Sequence, residues 1–199
     1  MTNNQQRKNR FLILLIFGMT IIPFTIAWIL GGKGTFIEGM TNKGQLIVPV
    51  VTTERSDLAG LDSFSADNIA ELKGHWLLLN VVPYDDCNNS CLDAIHKTKQ
   101  LRLMMNKDLT RTRRAVIFLK DVKPEIADQW LQDDKVLLKV KPSEALTKKI
   151  AEIRSGAIPD GMLLLMDPLG NLMMQYEPGF DPYKVKSDLM HLLRISQIG

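Results

Sequence analysis

The sequence predicts an α/β domain, a mixed sheet flanked by helices, preceded by one N-terminal transmembrane helix. Three observations carry this. Residues 11–30 hold no charge, short apolar runs alternate with helix-period segments from residue 75 onward, and the turn at residues 168–171 is too short for anything but a hairpin. The 199 residues are 45% hydrophobic and 24% charged, which excludes a disordered or low-complexity chain. The formal charge of +3 comes from Arg7, Lys8 and Arg10, because residues 33–199 carry 22 basic and 22 acidic side chains. A neutral body has no cationic excess with which to hold phosphates, so nucleic acid is not an expected partner. Two cysteines are too few for a disulfide scaffold or a four-ligand zinc site, and they are read as a pair.

In chain order, residues 1–10 form a tail and residues 11–32 an anchor. Twenty uncharged residues at about 1.5 Å rise span roughly 30 Å, the thickness of the hydrocarbon layer. A cleaved signal would have a shorter apolar region and a small-x-small site, whereas here GGKGTF follows, so the segment reads as an uncleaved anchor. Pro23 frees a backbone carbonyl in mid-span, for which Thr20 or a neighbouring helix would have to compensate. Trp28 reads as an interfacial anchor. The basic cluster ahead of the span holds the N-terminus in the cytoplasm. In a bacterium this is a single-pass inner (cytoplasmic) membrane protein with its domain in the periplasm; in an organelle the domain would face an intermembrane space. Either space permits cysteine oxidation.

Residues 33–55 read as a linker: a glycine-rich stretch, then QLIVPVV, a candidate edge strand interrupted by Pro49. The domain is expected over 56–199, with 56–72 mostly loop and some helical turn. HWLLLNVV (75–82), bounded by Lys73-Gly74 and Pro83, is a central strand buried on both faces. Residues 91–109 place Ile95, Leu101, Met104 and Met105 near one helical stripe. AVIFL (115–119) is a second buried strand, 124–132 a helix opened by proline, VLLKV (136–140) a third strand, and 143–154 a helix capped by Ser143. Residues 162–167 and 172–177 form the hairpin, and a helix over 182–195 ends the chain. Alternating strand–helix units followed by a hairpin and a last helix make the thioredoxin-like layout.

PYDDCNNSCLDAI joins the first central strand to its helix and carries Cys87 and Cys91. Reactive residues of open α/β sheets sit beyond the carboxyl ends of strands, where helix N–H groups stabilise a thiolate. Asn88, Asn89 or Ser90 supplies the cap, placing Cys87 before the helix and Cys91 in its first turn. Asp85 and Asp86 oppose thiolate formation. An inert disulfide staple is the competing reading, weakened by the small closure entropy of so short a loop.

The sequence resembles the Sco/SenC family of membrane-anchored, thioredoxin-fold copper proteins that assist cytochrome c oxidase assembly. The likeness spans roughly residues 60–195: Lys73-Gly74 ahead of the first core strand, Cys87-x-x-x-Cys91, the 118–124 segment with Asp121, and Asp167-Pro168-Leu169-Gly170-Asn171. DPLGNLMMQY with DLMHLLRISQIG is also similar to small anchored proteins of proteobacterial oxidase operons. The resemblance implies Cys87 and Cys91 as copper(I) ligands and a copper-bearing oxidase subunit or other assembly factors as partners. Two departures stand out. Leu92 replaces the proline after the second cysteine, and residues 156–161, where the family's histidine ligand falls, contain no histidine. Ile158-Pro159 ahead of an apolar strand resembles the cis-proline that faces the cysteines in thioredoxins, so Pro159 joins the candidate site, while the isomer of the bond is not read from the sequence.

His75 starts the strand whose far end bears the cysteines, about 20 Å away at 3.3 Å per residue. His96 points around the helix from Cys91, and His191 lies in the last helix, so all three read as ordinary histidines. The methionines read as core. Arg111, Arg113 and Arg114 suit a helix C-terminus, with a docking patch for an acidic partner or lipid headgroup as the alternative. No nucleotide-binding or hydrolase motif is present. The leading expectation is an accessory factor of oxidase assembly acting through thiol-disulfide exchange or Cu(I) delivery, with Cys87 as nucleophile and Cys91 as resolving thiol. A general membrane-tethered thiol oxidoreductase and a non-catalytic scaffold are the alternatives.

Overall fold

Helix α1 (Asn3–Gly32) is the described part of the first of two units in the computed structural model, which describes residues 3–32, 42–132, 134–154, 156–196 and 198. Its residues 5–29 are long and apolar enough to cross a membrane. Thr20 donates to the carbonyls of Ile16 and Phe17, one turn ahead of the Met19 carbonyl that Pro23 frees, so it does not compensate the proline.

The second unit, Asn42–Gly199, contains β1 (Gln45–Thr52), β2 (Leu58–Gly60), α2 (Ser63–Asn68), β3 (Trp76–Val82), α3 (Asn89–Leu103), β4 (Thr112–Phe118), α4 (Pro124–Trp130), β5 (Leu138–Pro142), α5 (Glu144–Glu152), β6 (Leu163–Met166), β7 (Asn171–Tyr176) and α6 (Pro182–Ile195). One sheet takes all seven strands in the order β1-β7-β6-β3-β4-β5-β2. Strands β3, β4 and β5 are parallel; β6 runs antiparallel to β3 and β7 to β6. This is the mixed, helix-flanked sheet expected from the sequence.

Every residue of β3 is buried because successive side chains enter opposite layers. Leu77, Leu79 and Val81 pack with Leu146 and Ile150 of α5, whereas Trp76 and Leu78 pack with Leu101 of α3 and Leu189 of α6. A third cluster lies at the carboxyl end of β3 and β4 and holds Val82, Cys87, Cys91, Ile95 and Phe118.

Strand β1 is an edge strand of the sheet, as QLIVPVV was expected to be, and pairs with β7; Pro49 lies where the register shifts between Leu46 and Val51. Three details differ from the sequence reading. Strand β2, inside the segment read as loop, pairs with β5, its three residues being too few to show a period. Helix α3 stops at Leu103, and a 3-10 turn over Asn106–Arg111 follows, with Asn106 at φ 48°. The arginines do not close α3: Arg111 ends the 3-10 turn, Arg113 and Arg114 lie on β4, and each is engaged within the domain. Arg111 donates to the carbonyls of Leu193 and Ser196, and Arg113 pairs with Glu71 at 3.0 Å. Arg114 is buried against Asp134 at 2.6 Å and donates to Thr98 and the Ile95 carbonyl.

Candidate functional site

The loop leaving β3 carries exposed Tyr84, Asp85 and Asp86 before Cys87, and α3 begins two residues after it. Asn88 is the N-cap: its side-chain oxygen accepts from the backbone N–H of Ser90 (2.9 Å) and Cys91 (3.1 Å). That cap folds the four-residue step back on itself. Cys87 and Cys91 are joined as a disulfide, with their Cα atoms 5.3 Å apart. Cys87 is 9% exposed and Cys91 1%, so both are buried, Cys87 the less completely.

Strand β6 brings a second segment to the same place. Because β6 runs antiparallel to β3 and pairs Leu163 with Asn80, its beginning abuts the carboxyl end of β3. Residues 158–161 therefore meet the cysteine turn. Asn88 Nδ2 donates to Asp160 Oδ2 at 2.6 Å, and Ser90 Oγ donates to the Asp160 carbonyl at 3.2 Å. Gly161 adopts φ +82°, and a Cβ there would stand 2.6 Å from the Ser90 carbonyl oxygen, so only glycine allows this approach. The other Asp160 oxygen, Oδ1, is closed off from solvent and has no hydrogen-bond partner among the described residues. Burial, and after it the charge of Asp86, raises the Asp160 carboxyl above the ordinary carboxylate range.

The structure thus unites Cys87 and Cys91 with the histidine-free segment, as the resemblance implies. The contacts run through Asp160 and Gly161, however, which the sequence reading did not single out. A glycine directly before an apolar strand was the available signal. The Ile158–Pro159 bond is not cis: among the described residues only Val48–Pro49 is, and Gly161, rather than the proline, supplies the unusual backbone angle. His96 pairs with Gln100 at 2.8 Å on the exposed side of α3, and His75 contacts the Lys73 carbonyl at 3.0 Å. Among the described residues no three His, Cys, Asp or Glu side chains group to hold a metal ion. The donor set is two sulfurs already bonded to each other, which does not fit a three-coordinate copper centre.

A thioredoxin-like domain with a disulfide at the junction of its central strand and first long helix, in a chain that also has one helix apolar enough to span a membrane, defines the class. The chain belongs to the transmembrane-like, thioredoxin-like, C-terminal domain family, whose model matches residues 76–196. The apo Sco1 protein of Thermus thermophilus is similar in fold, with a TM-score of 0.54 at 15% identity over 77% of this chain and 98% of that one. Arabidopsis thaliana ScoI, solved with copper bound, aligns with a TM-score of 0.49 at 15% identity, over 64% of this chain and 89% of its own. BsSco, described as a member of the Sco family of cytochrome c oxidase assembly proteins with a disulfide switch, aligns with a TM-score of 0.49 at 12% identity, over 79% and 98%. No curated protein sequence matches the chain.

Proposed function

We propose that the protein is a membrane-anchored accessory factor of cytochrome c oxidase assembly whose Cys87–Cys91 pair exchanges disulfides with a partner dithiol. The observation that carries this reading is the disulfide itself, placed where β3 hands over to α3, with Cys87 the less buried of its two residues and Cys91 in the first turn of the helix. A partner thiolate attacks Cys87 Sγ, a mixed disulfide forms, and Cys91 leaves as a thiolate next to the helix N-terminus, then takes up a proton. The partner's second thiolate displaces Cys87, so the partner is oxidised by two electrons and this pair is reduced by two. Run backwards, with Cys87 as attacking thiolate and Cys91 as resolving thiol, the same steps reduce a partner disulfide.

The link to oxidase assembly and to a copper-bearing oxidase subunit rests on the resemblance to the Sco family. Placement of the domain in the periplasm rests on Arg7, Lys8 and Arg10 preceding the span. Copper(I) delivery is the alternative chemistry for the same sulfurs, thiolates being soft donors. Without a third ligand we derive no step through copper.

The test uses the full chain in detergent. Incubation with a graded glutathione redox buffer, followed by thiol trapping, should show one reversible two-electron transition that is lost in Cys87→Ser and Cys91→Ser. In cells, both substitutions should lower the amount of assembled oxidase. A wild-type pair that never exchanges, or full oxidase assembly in both variants, refutes the proposal. Stoichiometric Cu(I) uptake by the reduced chain with no exchange activity would favour delivery instead.

A further inference from the structure

Asn88 is the residue on which the geometry of the pair depends. It lies between the two cysteines, and its amide has two ends with different tasks. The oxygen caps the N–H groups of Ser90 and Cys91, while the nitrogen donates across the fold to Asp160. An amide turned by half a rotation would point its NH₂ at two N–H donors, so the carboxylate on the far side fixes which way Asn88 faces. The same loop grips the turn twice more, through Ser90 Oγ on the Asp160 carbonyl and through the close seat of Gly161 on Ser90.

We propose that Asp160 is a positioning residue for the Cys87–Cys91 pair, acting through Asn88, and that it holds the start of α3 in place when the disulfide is open. In the oxidised chain the bond itself ties Cys87 to Cys91, so the cap is held covalently as well as by Asp160. In the reduced chain that tie is gone, and the Asp160–Asn88 hydrogen bond, together with the Ser90 Oγ bond to the Asp160 carbonyl, is left to hold the turn against the distant loop. Asp160 therefore stabilises the reduced state more than the oxidised one. This inference rests on the exchange reading for its purpose, but not for its test.

Two variants separate the hook from the charge. Asp160→Ala removes the acceptor, whereas Asp160→Asn retains an oxygen that can accept from Asn88 and removes the charge that Asp86 opposes. The first readout is the gap in thermal unfolding midpoint between the oxidised full chain and the same chain reduced by a phosphine. A cap is worth about fivefold in a local equilibrium, so the gap should widen by roughly 2–4 °C in Asp160→Ala and stay within about 1 °C of wild type in Asp160→Asn. The second is the equilibrium with glutathione, which should shift about fivefold toward the disulfide in Asp160→Ala and less than about twofold in Asp160→Asn. An unchanged gap in Asp160→Ala, or equal widening in both variants, overturns the inference. A wild-type chain that does not exchange with glutathione overturns the proposed function alone, because the unfolding gap still decides the role of Asp160.

Discussion

Replacing Asp188 by alanine should release the first residues of the domain from its last helix. Asp188 is 5% exposed, and its carboxylate accepts from the Lys43 N–H at 3.0 and 2.8 Å, the Gly44 N–H at 2.8 Å and the Tyr176 hydroxyl at 3.0 Å. Gly44 allows this because a Cβ there would lie 2.6 Å from the Tyr176 ring. Burial, reinforced by Asp188, raises the Tyr176 hydroxyl far above its ordinary range, so it stays a donor at every working pH. In Asp188→Ala the Lys43 N–H reaches water, the Gly44 N–H is left buried without an acceptor, and the tyrosine hydroxyl keeps only the Met174 thioether sulfur, a weak acceptor. One orphaned donor and one left with a weak acceptor, at about 1–3 kcal/mol each, come to roughly 3 kcal/mol, or about 6–12 °C in a domain of this size. Urea unfolding followed by tryptophan fluorescence measures the loss, and limited proteolysis should reveal new cleavage within residues 42–52. Tyr176→Phe removes one donor and should cost about 1 kcal/mol, with the double variant less than additive. A change under about 0.5 kcal/mol in Asp188→Ala, with β1 still protected, would refute the reasoning.

Two further outcomes are expected at the cysteine turn. Gly161→Ala combines a left-handed backbone with a Cβ overlapping the Ser90 carbonyl, and should cost about 2 kcal/mol or more in chemical unfolding; an unchanged midpoint would mean the loop does not press on Ser90. The raised Asp160 carboxyl makes the folded chain prefer the protonated acid. Its contribution to stability is fully present below the unfolded value of about 3.9 and is lost as pH rises through the raised folded value. Asp160→Asn should therefore match wild type in acid and become the more stable of the two toward neutrality, as thermal unfolding against pH would show. A constant difference at all pH values would contradict it.

Much of the site was legible because its signals are local. Cys87 and Cys91 lie between an apolar run and an amphipathic helix, and the cap between them is one of the three candidates the loop offered, Asn88. What was not legible involved partners far away in sequence. Arg111, Arg113 and Arg114 look alike as a basic run, yet they end on the chain terminus, on Glu71 and on buried Asp134 respectively. Strand β2 was missed because three residues show no period and its pairing with β5 comes from elsewhere in the chain. The isomer of Ile158–Pro159 is not a local signal either: the bond is trans, and the unusual backbone angle of that loop falls at Gly161.

By itself the sequence determined the apolar helix, the order of strands and helices from residue 75 onward, and the position of two sulfurs at a strand-to-helix step, since hydrophobic length, periodicity and capping act over a few neighbouring residues. Only the tertiary structure decided which distant loop meets those sulfurs and which carboxylate holds the beginning of the domain. Those contacts depend on strand order, and β6 lying antiparallel beside β3 is what carries Asp160 and Gly161 to the cysteine turn.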